Sequence, residues 1–178
     1  VFSSKHMGED EATQLLLDNV EGKPLTEPRV IRFKTGTRRQ HWNKNCLAMG
    51  LSSGFIEPLE STSIHLIQRN ITRLIQNFPS NGIQQVDIDQ FNSLTKFEMD
   101  NIRDFIILHY KVTNRTDSSY WNYLRNMSIP DSLAHRIDLF KRTGKVFKLL
   151  DELFGDSSWL QVMMGQGLEA ESYHPIVD

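Results

Sequence analysis

The chain has 178 residues, about one domain's worth, and 39% of them are hydrophobic, enough for a sizeable core. Twenty Lys and Arg against 22 Asp and Glu leave a net charge of −2, so nothing global draws the chain to nucleic acid or to an anionic membrane surface. One cysteine, Cys46, excludes an intramolecular disulfide and a cysteine zinc cluster; no apolar run approaches the ~18 residues of a membrane helix, and the expected location is the cytoplasm.

The chain opens Val1-Phe2-Ser3-Ser4 without Met, like the tail of a strand and its turn, and stops at Pro175-Ile176-Val177-Asp178 without a polar tail. Its length therefore reads as that of a piece. Charge is unevenly spread: Arg29, Arg32, Lys34, Arg38, Arg39 and Lys44 form a basic stretch without an acid, whereas Lys and Arg are absent after Lys148. The basic stretch reads either as a solvated strand face or as a phosphate site.

From Arg29 to Thr35 apolar and polar residues alternate with period two, which predicts a half-buried strand, and Gly36 punctuates it. Asn45 to Leu51 is a short apolar run that predicts a buried strand, with Cys46 an inert thiol inside it. Then the period changes. Ile64, Ile67, Ile71, Leu74, Ile75 and Phe78 fall at helical spacing up to Pro79, behind the cap-rich Glu60-Ser61-Thr62-Ser63. A second helix is expected from Ile88 to Lys111, opened by an Asp87…Gln90 capping box, with Phe91, Leu94, Ile102, Phe105, Ile106 and His109 on one face. Shorter helices are expected over Ser118–Arg125, Asp131–Thr143 between Pro130 and Gly144, Lys145–Phe154 and Ser158–Met164. The fold class is thus α+β, mostly α-helical, with two or three strands leading into a helical region.

The segment Gly54-Phe55-Ile56-Glu57-Pro58-Leu59-Glu60-Ser61-Thr62-Ser63-Ile64-His65 carries the chemistry. Two carboxylates stand three residues apart ahead of a helix whose first turn has free N–H groups, a ready anion site. Two readings are open from the residues alone: Glu60 and Ser61 cap the helix, or a carboxylate beside a bound halide or oxyanion has its pKa raised and accepts a proton. The six histidines lack metal-ligand spacing and read as surface or core residues. No Gly-x-Ser-x-Gly elbow accompanies Ser61 or Ser63.

The run Arg38-Arg39-Gln40-His41-Trp42-Asn43-Lys44-Asn45-Cys46-Leu47-Ala48-Met49-Gly50-Leu51, followed by Gly54 to Ser63 with its Glu-Pro-Leu-Glu-Ser-Thr core, closely resembles the flavin-dependent tryptophan halogenase family. The resemblance continues through Phe78-Pro79, Arg103-Asp104-Phe105-Ile106, Arg115-Thr116-Asp117 and Ile129-Pro130-Asp131. It implies that Glu60 is the catalytic carboxylate at the aromatic substrate, and that the backbone amides of Thr62 and Ser63 hold halide beside the flavin. Ser63 stands where many members have Gly. Leu51 and Ile64 match positions that pack on FAD, and the Gly50 turn resembles a flavin fingerprint.

The implied activity uses reduced FAD from a flavin reductase, O2 and chloride or bromide to halogenate an electron-rich ring reached through a tunnel. The family's tunnel lysine and Gly-x-Gly-x-x-Gly phosphate loop would belong to a missing N-terminal part of the same enzyme; the ten glycines here never fall in that spacing. Residues 1–60 would be the end of an FAD-binding domain with the halide loop, and residues 61–178 a helical substrate-covering region. The Tyr-Tyr and Phe-Trp pairs that box free tryptophan are replaced by the stretch Phe154 to Gly167. An indole or another aryl group, free or carrier-bound, is therefore as good a substrate candidate, with Ser61, Phe154 and Trp159 as candidate contacts beside Glu60; core packing is the other reading of Phe154 and Trp159. The alternatives are a flavin-dependent aromatic hydroxylase and a non-catalytic fragment.

Overall fold

The computed structural model describes residues 1–149 and 151–177. Its first ordered element is a helix that sequence periodicity did not announce, α1 (Glu9–Asn19), with Glu9, Asp10 and Glu11 in its first turn, where carboxylates suit the helix dipole. None of its residues is buried, and Arg32 pairs with Glu9 at 2.6 Å.

Four two-residue strands follow: β1 (Gly36–Thr37), β2 (Trp42–Asn43), β3 (Cys46–Leu47) and β4 (Gly54–Phe55). β1 pairs with β4 and β2 with β3, both antiparallel. Lys44 takes a φ of 54°, so the chain reverses between β2 and β3 over only Lys44 and Asn45. This corrects both predicted strands. Residues 29–35 are exposed and form no strand, because among the described residues nothing offers them a ladder partner. The Asn45–Leu51 run breaks at Leu47 and turns at Gly50 into a 3₁₀ helix (Gly50–Ser52), leaving Cys46 exposed instead of buried.

The hairpin is held by the next layer. Trp42 is buried edge-on against Phe91, with ring centroids 5.7 Å apart, and Asn92 Oδ1 accepts the backbone N–H of both His41 and Trp42 at 2.8 Å. Asn92 returns a bond to the Trp42 carbonyl at 2.8 Å, so one amide side chain satisfies three backbone groups.

Of the helices, α2 (Ser63–Gln76) and α3 (Gln85–Lys111) follow the helical periodicity closely. The capping box of α3 lies one turn earlier than expected: Gln84 is the N-cap and Asp87 the reciprocal partner, because the Asp87 carboxylate reaches back to the Gln84 N–H at 3.1 Å. On α2 the buried face is polar. Asn70 and Arg73 point inward onto α3, while Ile64, Ile67, Ile71 and Ile75 stay exposed. Inside, Arg73 donates to Asn70 at 3.0 Å, Thr95 at 3.1 Å and Glu98 at 3.1 Å; Arg69 adds a second donor to Glu98 at 3.0 Å.

Beyond α3 lie α4 (Ser119–Asn126), capped by the Ser118 hydroxyl, and α5 (Asp131–Thr143), which runs from Pro130 to a left-handed Gly144 as expected. The last helix, α6 (Asp156–Gly165), is longer than the predicted Ser158–Met164. The expected helix over Lys145–Phe154 does not form among its described residues. Asp151 adopts a φ of 65°, and Glu152 is drawn under the Arg136 guanidinium as a buried ion pair, so this stretch is shaped by side-chain anchoring. Phe105, Leu108, Leu133, Ile137, Phe140, Trp159 and Met163 form the main core, where α3, α5 and α6 meet.

Candidate functional site

The chain leaves β4 at Phe55, passes Glu57, and tightens into a 3₁₀ turn over Pro58–Glu60. Pro58 sets its own φ for that turn, and Ser61 then adopts φ 52°, ψ 37°, the left-handed region that L residues other than Asn and Asp seldom occupy. That reversal aims the chain into α2, with Thr62 at the N-cap position and Ser63 the first helical residue. The Thr62 side chain makes no cap bond. The N–H groups of a first helical turn have no partner within the helix, so this end of α2 combines free donors with the positive end of the helix dipole.

Gly50, Phe55, Thr62, Ser63, Leu66 and Asn70 help line a cavity of about 20 Å³ at this corner. A space of that size holds one water-sized occupant. The structure thus gathers Gly50, Thr62 and Ser63, three of the residues singled out from the sequence, around one small void. Gly50 is required there: its φ is 60°, and a Cβ would stand 3.1 Å from Ile67 Cδ1. Leu51 and Ile64, the other two candidate flavin contacts, are 74% and 81% exposed.

Both carboxylates of the motif are engaged by successive residues of α3. The Tyr110 hydroxyl donates to Glu57 Oε1, and His109 Nε2 lies 2.9 Å from Glu60 Oε1. Burial, then the hydrogen bond and the charge of Glu57, push the Tyr110 phenol above its ordinary pKa; Tyr120 is raised for the same two kinds of cause, burial and the Glu57 charge. Glu60 therefore caps nothing with its side chain; it is held half-buried from across the fold. Sequence reading missed both α3 partners. The signal present was His109 itself, an imidazole on the otherwise apolar face shared with Phe105.

The candidate substrate contacts lie further along. Phe105 meets His109 edge-on at 4.9 Å, stacks on Phe154 at 3.9 Å and packs against Trp159 at 4.9 Å. Trp159 is 1% exposed and covered by the Arg136 guanidinium 4.0 Å from its ring centroid, so it packs in the core. Phe154 is half-buried, and Ser61 is exposed beside Glu60. His41, within the basic stretch, is buried with Nε2 2.9 Å from the Thr37 hydroxyl, and burial together with Arg73 and Arg38 lowers its pKa. Among the described residues, no helix is long and apolar enough to cross a membrane.

Known proteins share this fold. The solved chain of Xcc4156, a flavin-dependent halogenase from Xanthomonas campestris, superposes with a TM-score of 0.96 at 49% identity over 99% of this chain and 36% of that one. BrvH, a flavin-dependent halogenase from Brevundimonas sp. BAL3, gives 0.96 at 47% identity over 100% of this chain and again 36% of its own. The 7-chloro-L-tryptophan 6-halogenase KtzR of Kutzneria sp. (strain 744) is 36% identical over 142 residues, which make up 79% of this chain and 28% of KtzR. The chain thus spans roughly a third of the length of the relatives it matches, 36% of the first solved structures. Its fold is a mostly helical portion of the flavin-dependent halogenase fold, and the tryptophan halogenase family model matches residues 1–178 from end to end. By that match the chain belongs to the tryptophan halogenase family.

Proposed function

We propose that this chain is the halide-holding and carboxylate-bearing portion of an FAD-dependent halogenase that acts on an indole or another electron-rich aromatic, free or carrier-bound, with a flavin reductase as partner. The observation that carries the reading is the juxtaposition of Glu60, held by His109, with the cavity lined by Thr62 and Ser63 at the start of α2. In this reading residues 1–60 complete an FAD-binding domain and residues 61–178 cover the substrate.

The residues fit the cofactor in part. Exposed Leu51 and Ile64, with the left-handed Gly50 turn, suit the apolar edge of a flavin ring, and no glycine loop is present for its phosphates. Bound reduced FAD would supply, with O2, the oxidising equivalents that make halide electrophilic. The chain's own residues do the rest. Thr62 and Ser63 place halide at the positive end of α2. Glu60 faces the aromatic ring and takes the proton that the halogenated carbon sheds. Ser61 fixes the angle between these two parts, and half-buried Phe154 is the aromatic on the substrate side.

The test uses the whole protein with reduced FAD, O2, bromide and indole. Bromoindole is the expected product. Hydroxylated indole would favour the hydroxylase, and no turnover would favour a non-catalytic role. Glu60→Gln is expected to lower halogenation by roughly 10²–10⁴-fold, the range for a positioned acid–base group; normal halogenation by Glu60→Gln would remove Glu60 from the mechanism.

A further inference from the structure

The two ring nitrogens of His109 have different partners. Nδ1 lies 2.8 Å from the Phe105 carbonyl oxygen one turn back along α3, and Nε2 lies 2.9 Å from Glu60 Oε1. A carbonyl can only accept, so Nδ1 carries a hydrogen and donates it. In a neutral imidazole the other nitrogen then presents only a lone pair. A lone pair facing an ionised carboxylate oxygen at 2.9 Å is repulsive, so the contact is a hydrogen bond only with one further proton between Nε2 and Oε1.

We propose that His109 is the positioning residue of Glu60: the two side chains share one proton, Oε1 is tied to the imidazole, and Oε2 is the oxygen left to meet the aromatic substrate. The functional meaning rests on the halogenase reading above; the shared proton rests on hydrogen-bond chemistry alone.

The surroundings favour a fixed pair. The imidazole is wedged edge-on against Phe105, at an interplanar angle of 89°, and Phe105 is itself locked in the core. The His109 and Glu60 side chains are 20% and 29% exposed, so much of the water that would compete is excluded. Neighbouring polar groups are occupied: Tyr110 donates to Glu57, Lys111 donates to the Met127 carbonyl at 2.7 Å, and Arg136 is paired with Glu152. Glu60 is the acid that His109 meets. With one carboxylate oxygen pinned, the free oxygen loses most of its rotational freedom, which is how a supporting hydrogen bond contributes to a reaction it does not touch.

The test reads the proton directly. In the whole protein labelled with ¹⁵N-histidine, the His109 ring signals are identified by their loss in His109→Gln. The expected spectrum has a protonated Nδ1 and an Nε2 resonance that shifts in Glu60→Gln while Nδ1 stays in place. A bare Nδ1 with a protonated Nε2, or an Nε2 indifferent to Glu60→Gln, overturns the proposal. In bromination of indole, His109→Phe should lower kcat by roughly tenfold to a hundredfold, the size of a lost hydrogen bond to a charged group. KM and bound FAD should be unchanged, and His109→Gln, whose amide can donate to Oε1, should recover part of kcat. A His109→Phe protein with full FAD content and undiminished kcat also overturns it. A wild-type protein that halogenates nothing sinks the proposed function instead, and the nitrogen spectra then decide the shared proton by themselves.

Discussion

Replacing Glu98 with Leu should unfold more of this protein than any loss of surface charge could. Glu98 is 1% exposed and accepts from Arg69 and Arg73, and Arg73 is itself buried between α2 and α3. Without the carboxylate, Arg69, whose side chain is 35% exposed, can turn toward water, but the Arg73 guanidinium is left as an unpaired charge in the interior. Stranding one partner of a buried pair costs about 3–5 kcal/mol. With a urea m-value of about 2 kcal/mol per molar, the midpoint should drop by about 1.5–2.5 M. The double variant Arg73→Met/Glu98→Leu removes both charges and should recover most of that loss, short of about 1 kcal/mol for each bond that Asn70 and Thr95 forfeit. Urea unfolding followed by tryptophan fluorescence measures all four proteins of the cycle: wild type, Glu98→Leu, Arg73→Met and the double variant. A loss under about 1 kcal/mol in the single variant, or a double variant as costly as the two singles summed, would refute the claim that Arg73 and Glu98 act as one unit.

Three further outcomes are expected. His41 is held neutral, since burial, Arg73 and Arg38 lower its pKa below the ordinary 6.5; the unfolded chain therefore binds that proton more readily, stability is full above pH 6.5 and falls below it, by up to about 1.4 kcal/mol per pH unit. Comparing urea midpoints at pH 7.5 and 5.5 checks this, and His41→Gln should flatten the difference. Ser61→Gly should raise stability by about 0.5–1 kcal/mol by relieving the left-handed backbone, and Ser61→Val should lower it by about 1–2 kcal/mol; thermal melts that rank Val above Gly would contradict the turn. Gly54→Ala places a Cβ 2.8 Å from the Gly36 carbonyl oxygen and 3.0 Å from Thr37 Cα, so β1 and β4 must part, at about 1–3 kcal/mol, with faster amide exchange in both strands as the readout.

How much of this was legible in the sequence depended on whether the determinant was local. The helical period of α2, α3 and α5 is local, and Pro130 and Gly144 marked both ends of α5, whereas the capping box of α3 lies a turn before the expected one and the cap-rich start of α2 makes no side-chain cap bond. Residues 29–35 show that period-two alternation is not sufficient for a strand, because a ladder needs a partner backbone that no pattern within the segment can supply. The isoleucines of α2 announced a helix correctly, yet its inward face is Asn70 and Arg73, since two bonds from Arg73 to Thr95 and Glu98 of α3 fix the helix more specifically than an apolar stripe would. The motif around Glu60 was readable because its resemblance is specific. Its grip by His109 was not, for the two residues are far apart in the chain and meet only after α3 has been laid across the turn.

That long helix sets a length standard for the site. Glu98 anchors α2 in the interior and His109 anchors the turn that leads into α2, and both belong to α3. Eleven residues of α-helix make about three turns, so the two anchors stand on nearly the same side, ~16 Å apart along the axis. Adding one residue to α3 between them would rotate one anchor by ~100° relative to the other. A substitution along this stretch, whatever it costs in packing, leaves that register intact, whereas an insertion or deletion does not: the spacing from Glu98 to His109 is a phase relationship, and the position of Glu60 depends on its being kept.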